Sequence, residues 1–193
     1  MKTVFFDIDT QIDFLYPAGA LYVPGAEKLL PTLARLNRYA AEHAIPVIST
    51  MDAHAENDPE FRAWPAHCVV GTPGQQKPAA TLLERRAVIP TVPGQYSIDG
   101  AAQVILEKQA LDLFTNPNLP GLLARLNAER YVVYGVVTEY CVRCAVLGLL
   151  ATGEPVELVT DAIQSLDEAA ARRTLAEFSS AGGRLTSVRE ICA

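Results

Sequence analysis

Apolar positions along the chain alternate between two spacings. Thr3–Ile8 is a continuous apolar run that ends in acidic residues, as a buried parallel strand does at its functional edge. From 26 to 43, leucines and alanines recur at helical spacing (Leu29, Leu33, Leu36, Ala40), with Pro31 tolerable in the first turn. Pro46 then opens a second strand, PVISTMD. Residues 53–74, rich in Pro, Gly and His, form a loop too long to be a mere connector. Beyond it, 79–86 predicts a short helix, 87–90 a strand fragment, Gln103–Lys108 a full strand and 121–128 a second short helix. RYVVYGVV reads as a buried strand leading into TEYCVRCAVLGLLATG, a helix stopped at Gly153. PVELVTDA is a strand with an acidic end, 167–180 an amphipathic helix, and GGRLTSV closes the series.

Strands separated by helices predict an α/β fold. The expectation is one domain over residues 1–193, a three-layer α/β/α sandwich on a mainly parallel sheet of five or six strands. In such sheets functional groups collect beyond the carboxyl ends of the strands. Taken in order, those ends carry Asp9, Asp52, Lys108, the stretch 137–141 and Asp161.

Composition narrows the partners. With half of its 193 residues apolar and a fifth charged, the chain has enough apolar residues for a large core. A formal charge of −6 and the lack of any Lys/Arg cluster argue against nucleic acid. No apolar stretch approaches membrane-spanning length, and Asp7, Asp9 and Asp13 make the opening residues too acidic for a signal-peptide core. The four cysteines, Cys68, Cys141, Cys144 and Cys192, are irregularly spaced, which suits a reduced, cytoplasmic setting.

Three groups at strand ends carry candidate chemistry. Cys141 lies where a strand turns into a helix, so amide N–H groups and the helix dipole there favour a thiolate; the bland alternative is a small buried hydrophobe. Lys108 closes VILEK and would hold a neighbouring thiolate by charge pairing, unless it simply faces water. With Asp9 they complete a nucleophile-activation set. Asp52 and His54 point the same way in extended chain and can share one ion, with His67 of WPAHC as a third ligand. Imidazole and carboxylate donors with open positions suit zinc, iron or manganese. The opening FFDIDTQIDF also admits a haloacid dehalogenase-type phosphatase, with Asp7 as nucleophile and Asp9 as acid/base. That alternative needs a tight acidic magnesium motif late in the chain, and Asp161 and Asp167 of TDAIQSLD do not supply its spacing.

Taken together and in order, these motifs resemble the isochorismatase-like cysteine hydrolases, most closely their nicotinamidase branch. The segments that match are Asp9-Thr-Gln11-Ile-Asp13-Phe14, Asp52-Ala-His54, Trp64-Pro-Ala-His67-Cys68, Lys108 and Gly135-Val-Val-Thr-Glu-Tyr-Cys141-Val142. The resemblance implies a catalytic triad of Asp9, Lys108 and Cys141 that hydrolyses a small amide such as nicotinamide through a thioester. It implies an oxyanion hole at Val137 and Cys141, a cis peptide at Val136–Val137, and an aromatic slot of Phe14, Trp64 and Tyr140. It further implies a divalent metal, zinc foremost with iron or manganese as alternatives, on Asp52, His54 and His67, and a homo-oligomer. Two features depart from the nicotinamidase pattern. Asp58 occupies a position where a second histidine is common, and the segment after Lys108 is short, as in relatives acting on other amides or related substrates.

Overall fold

The computed structural model describes residues 1–193. Strand β1 (Thr3–Ile8) is buried along its whole length, because both faces of the sheet are covered. It runs into a single turn of helix, α1 (Ile12–Leu15). A 3-10 turn at Ala26–Leu29 leads into α2 (Leu30–Glu42), which accepts Pro31 in its first turn, where the missing N–H has no helical partner to lose. Strand β2 (Val47–Asp52) ends at the long loop, which contains two short 3-10 turns, Pro59–Arg62 and Pro73–Gln75. Then come β3 (Arg86–Ile89), β4 (Gln103–Lys108), α3 (Leu119–Leu126) and β5 (Arg130–Val136). A π-helical turn, Thr138–Val142, precedes α4 (Arg143–Leu150). The chain closes with β6 (Val156–Gln164), α5 (Glu168–Ser180), β7 (Arg184–Thr186) and α6 (Val188–Ile191).

The strands form one all-parallel sheet in the order β3-β4-β2-β1-β5-β6-β7. Seven strands replace the expected five or six. The two edges, offered by the sequence only as a fragment at 87–90 and the closing GGRLTSV, both join the sheet as full strands, four and three residues long and largely exposed, so neither shows the apolar run of a central strand. The helix expected over 79–86 is also absent. Only Ala79–Thr81 makes a 3-10 turn, and Arg86 already pairs with Gln103 of β4; edge pairing wins over weak local helix preference.

Alternation along β1 divides the core. Val4, Phe6 and Ile8 pack toward α3, α4 and α5, while Phe5 packs toward α2 and α6. Burying each phenylalanine contributes about 1.5–3 kcal/mol. Beside β1 the connections change direction, one going to β2 and the other leading to β5, so the crevice opens at the carboxyl end of β1. Gly135 permits this close approach. It pairs with Ile8 at φ +122°, and a methyl group there would collide with the Ile8 carbonyl.

Candidate active site

Asp9 stands just past β1, Lys108 ends β4, and Cys141 sits in the π-helical turn after β5. Parallel register brings the three together. The Lys108 ammonium lies 2.9 Å from Asp9 Oδ2 and 3.6 Å from Cys141 Sγ. Asp9 adopts a left-handed backbone, φ +47°, rare for a residue with a side chain. Its second oxygen accepts a 2.6 Å hydrogen bond from Thr50 Oγ1, which in turn accepts from the Asp9 amide at 3.0 Å. Thr50 carried no weight in the triad expectation; its signal is a hydroxyl near the end of an otherwise apolar strand.

Burial sets the electrostatics. It works against the Lys108 charge, but Asp52 and Asp9 outweigh it and hold the ammonium well above the ordinary lysine value. Burial also pushes the Cys141 thiol well up, with Lys108 pulling the other way and Asp9 adding to the rise. Cys141 is 5% exposed inside a wide turn ahead of α4, where desolvation outweighs the pull of the Lys108 ammonium and opposes the thiolate expected at the helix start. Cys144, one turn on, is partly buried, and all four cysteines are free.

The metal residues converge next to this triad. Asp52, His54 and His67 are all buried, and one ligand atom from each lies within 4.8 Å of the others. His54 is fully buried and its Nε2 has no hydrogen-bond partner, while facing Asp52 Oδ2 at 3.9 Å. A buried, unpaired nitrogen is costly unless something coordinates it. His67 Nδ1 bonds to the Pro65 carbonyl at 2.8 Å, which fixes the proton there and turns the Nε2 lone pair outward. Burial holds His67 below the ordinary histidine value, in the neutral form that a ligand needs. The donor set thus fits a divalent metal.

Asp52 joins the two halves of the site. While Oδ2 faces His54, Oδ1 accepts from Lys108 Nζ at 2.5 Å. Burial raises its pKa to about 6, against the opposing pull of Lys108. Asp58 reaches His54 from the other side, 3.0 Å from Nδ1. That nitrogen, like Nε2, makes no hydrogen bond of good geometry, so Asp58 acts on the ring by charge from the side away from Asp52. Glu60, which the motif spacing did not single out, lies 4.0 Å from His67 Nε2 and lines the same slot.

Both motif residues after Asp9 tie the metal loop down. The Gln11 side chain accepts from the Asp52 amide at 2.8 Å and donates to the Asp52 and Gln75 carbonyls at 2.9 and 2.8 Å. Asp13 accepts from the Cys68 and Ala20 amides at 2.7 and 2.9 Å.

Phe14, Trp64 and Tyr140 meet as expected on a slot that also exposes Asp52, His67, Val137 and Cys141. Its cavity volume is about 20 Å³, so it is nearly closed and its side chains must part to admit a ring. Trp64 and Tyr140 stand edge to face at 5.3 Å. The Val136–Val137 peptide is cis, and the Val137 carbonyl accepts from the Tyr140 and Val142 amides. Asp7 is in a different place. It is fully buried behind the sheet end, with its oxygens taken by Thr10, Ser49 and Lys77. It faces no slot, which removes the phosphatase reading.

The isochorismatase domain family matches residues 3–190 of the chain. The chain is 26% identical over 208 residues to a nicotinamidase of Escherichia coli (strain K12), covering 95% of this chain and 93% of that one. Among solved structures it resembles the pyrazinamidase of Pyrococcus horikoshii in complex with zinc, with a TM-score of 0.80, 29% identity, and coverage of 97% and 99%. It also resembles PnC1 from L. infantum in complex with nicotinate, with a TM-score of 0.76, 28% identity, and coverage of 96% and 92%.

Proposed function

The chain belongs to the isochorismatase family, and from that premise we propose that it hydrolyses nicotinamide or a close aromatic amide through a thioester on Cys141. One observation carries the reading. Cys141, with Asp9 and Lys108 buried behind it, opens onto a narrow aromatic slot that is also lined by Asp52 and His67, with His54 buried behind those two.

The buried thiol rests protonated, so attack needs a base. Asp9 takes the proton as sulfur adds to the amide carbonyl, and Lys108 keeps the site near neutrality while charge moves from carboxylate to sulfur. The oxyanion is received by the Val137 and Cys141 amides. Asp9 then gives the proton to the departing ammonia. Next it draws a proton from water, which opens the thioester and releases the acid. A divalent metal, zinc foremost, would be held by Asp52, His54 and His67, and when bound it supplies a coordination position for a ring nitrogen. Phe14, Trp64 and Tyr140 would border the flat ring and exclude water.

A second reading, another small amide, ureido or vinyl-ether substrate, draws on the short segment after Lys108, which places aliphatic Leu111 on the slot. An ammonia-release screen over nicotinamide, pyrazinamide, benzamide, carbamoyl amines and ureido compounds separates the two. The first reading expects nicotinamide and pyrazinamide to lead and benzamide to lag. A lead by the carbamoyl or ureido compounds favours the second, and no release from any compound rejects amide hydrolysis.

A further inference from the structure

The molecule buries a second lysine–aspartate pair that the proposed chemistry does not use. Lys77 and Asp7 side chains are 1% and 0% exposed, with Nζ 3.3 Å from Asp7 Oδ2. Between them stands Thr10. Its hydroxyl accepts from Lys77 Nζ at 2.9 Å and donates to Asp7 Oδ1 at 2.7 Å. Asp7 lies two residues before Asp9 and Thr10 one after. The bond between them therefore closes a ring of chain around Asp9, and Lys77 locks that ring from outside.

We infer that Lys77, Asp7 and Thr10 form a positioning clamp that holds the Asp9 backbone in its left-handed turn and so aims its carboxylate at Lys108 and Cys141. A residue held at φ +47° persists where its surroundings over-determine it. Thr50 grips the Asp9 carboxylate and amide, while the residue that follows is tied back to Asp7 and Lys77 through the Thr10 hydroxyl. The residue before Lys77 adds to this, since the Gln76 carbonyl accepts from the Ile12 amide at 2.8 Å. Stability alone gives no reason for such a pair, because buried ion pairs replaced by apolar side chains of similar volume are often neutral or stabilising. Orientation does give one. An apolar filling of the same space would carry no directional bond to the Asp9 turn.

The clamp rests on Asp9 acting as the base, so its test avoids any chosen substrate. Iodoacetamide alkylation of Cys141, followed site by site by mass spectrometry, reads the Asp9–Lys108–Cys141 arrangement whichever amide is turned over. Thr10→Val, nearly isosteric, removes the hydroxyl and leaves Lys77 against Asp7. It is expected to slow Cys141 alkylation about tenfold while Cys144 and Cys192 label at parental rates. Thr10→Ser, which restores the hydroxyl, should recover most of that loss. Parental Cys141 alkylation in Thr10→Val overturns the clamp. Should Thr10→Val unfold, shown by fast labelling of all four cysteines, the charge-neutral double variant Asp7→Leu/Lys77→Met, which leaves Thr10 no acceptor at residue 7, decides. Slowed Cys141 labelling in a folded double variant supports the clamp. A parental rate, or loss of the fold in this variant too, shows that the cluster is a structural element and overturns it. Failure of the nicotinamide screen alone leaves these alkylation rates readable, so the two failures are told apart.

Discussion

The wall that carries Cys141 is made by β5 and the turn into α4, whereas the wall that carries His54 and His67 is made by loop. In the first, sheet register sets position: Ile8 pairs with Gly135, and Cys141 follows within one turn. In the second, residues 53–75 hold two short 3-10 turns and one isolated bridge, His54 to Val69. That loop is placed instead by side chains of the other segment, Gln11 on Asp52 and Gln75, and Asp13 on Cys68. The contrast teaches that sheet register places the groups proposed to react, and a pinned loop places those proposed to hold substrate. Lys108 stands where the two meet, bonded to Asp9 on one side and Asp52 on the other.

Breaking each wall should therefore give different symptoms. Cys141→Ala has the largest effect, a loss of ammonia release of about a thousandfold or more with the fold retained; circular dichroism and a steady-state assay check both halves. Lys108→Met strikes the junction. It leaves two buried carboxylates without their ammonium, so urea denaturation should show a loss of about 3–5 kcal/mol along with lost turnover. Asp13→Ala loosens the loop wall by leaving the Cys68 and Ala20 amides without acceptors, a loss of about 1–3 kcal/mol. It should lower metal content measured by atomic emission while Cys141 still alkylates. Smallest is Asp58→Ala, which frees His54 to rotate. Metal affinity by competition with a chelator should fall about 10–100-fold, with little change in the denaturation midpoint.

The same contrast explains what could be read from the chain. Asp9, Asp52, Lys108 and Cys141 were legible because each ends a strand, and parallel strands deliver their ends to one crevice. The central strands announced themselves by continuous apolar runs. β3 and β7 showed only as a fragment at 87–90 and the closing GGRLTSV, since edge strands are short and largely exposed and their pairing depends on a neighbour distant in sequence. Contacts that depend on side-chain direction were also hidden. Nothing local says that Asp52 serves Lys108 with one oxygen and faces His54 with the other, or that Asp58 meets the ring nitrogen away from Asp52. Glu60 was missed for the same reason. It reaches the slot through a 3-10 turn capped by Asp58, a local fold that spacing alone does not reveal.

Partitioning by hydroxylamine tests the thioester most directly. With nicotinamide as substrate, a thioester on Cys141 is intercepted by added hydroxylamine after ammonia has left. Ammonia release should then stay at least constant while nicotinohydroxamate replaces nicotinate in proportion to the hydroxylamine added. Nicotinate formed at an unchanged rate, with no hydroxamate at any hydroxylamine concentration, would contradict a covalent intermediate and with it the role given to Cys141.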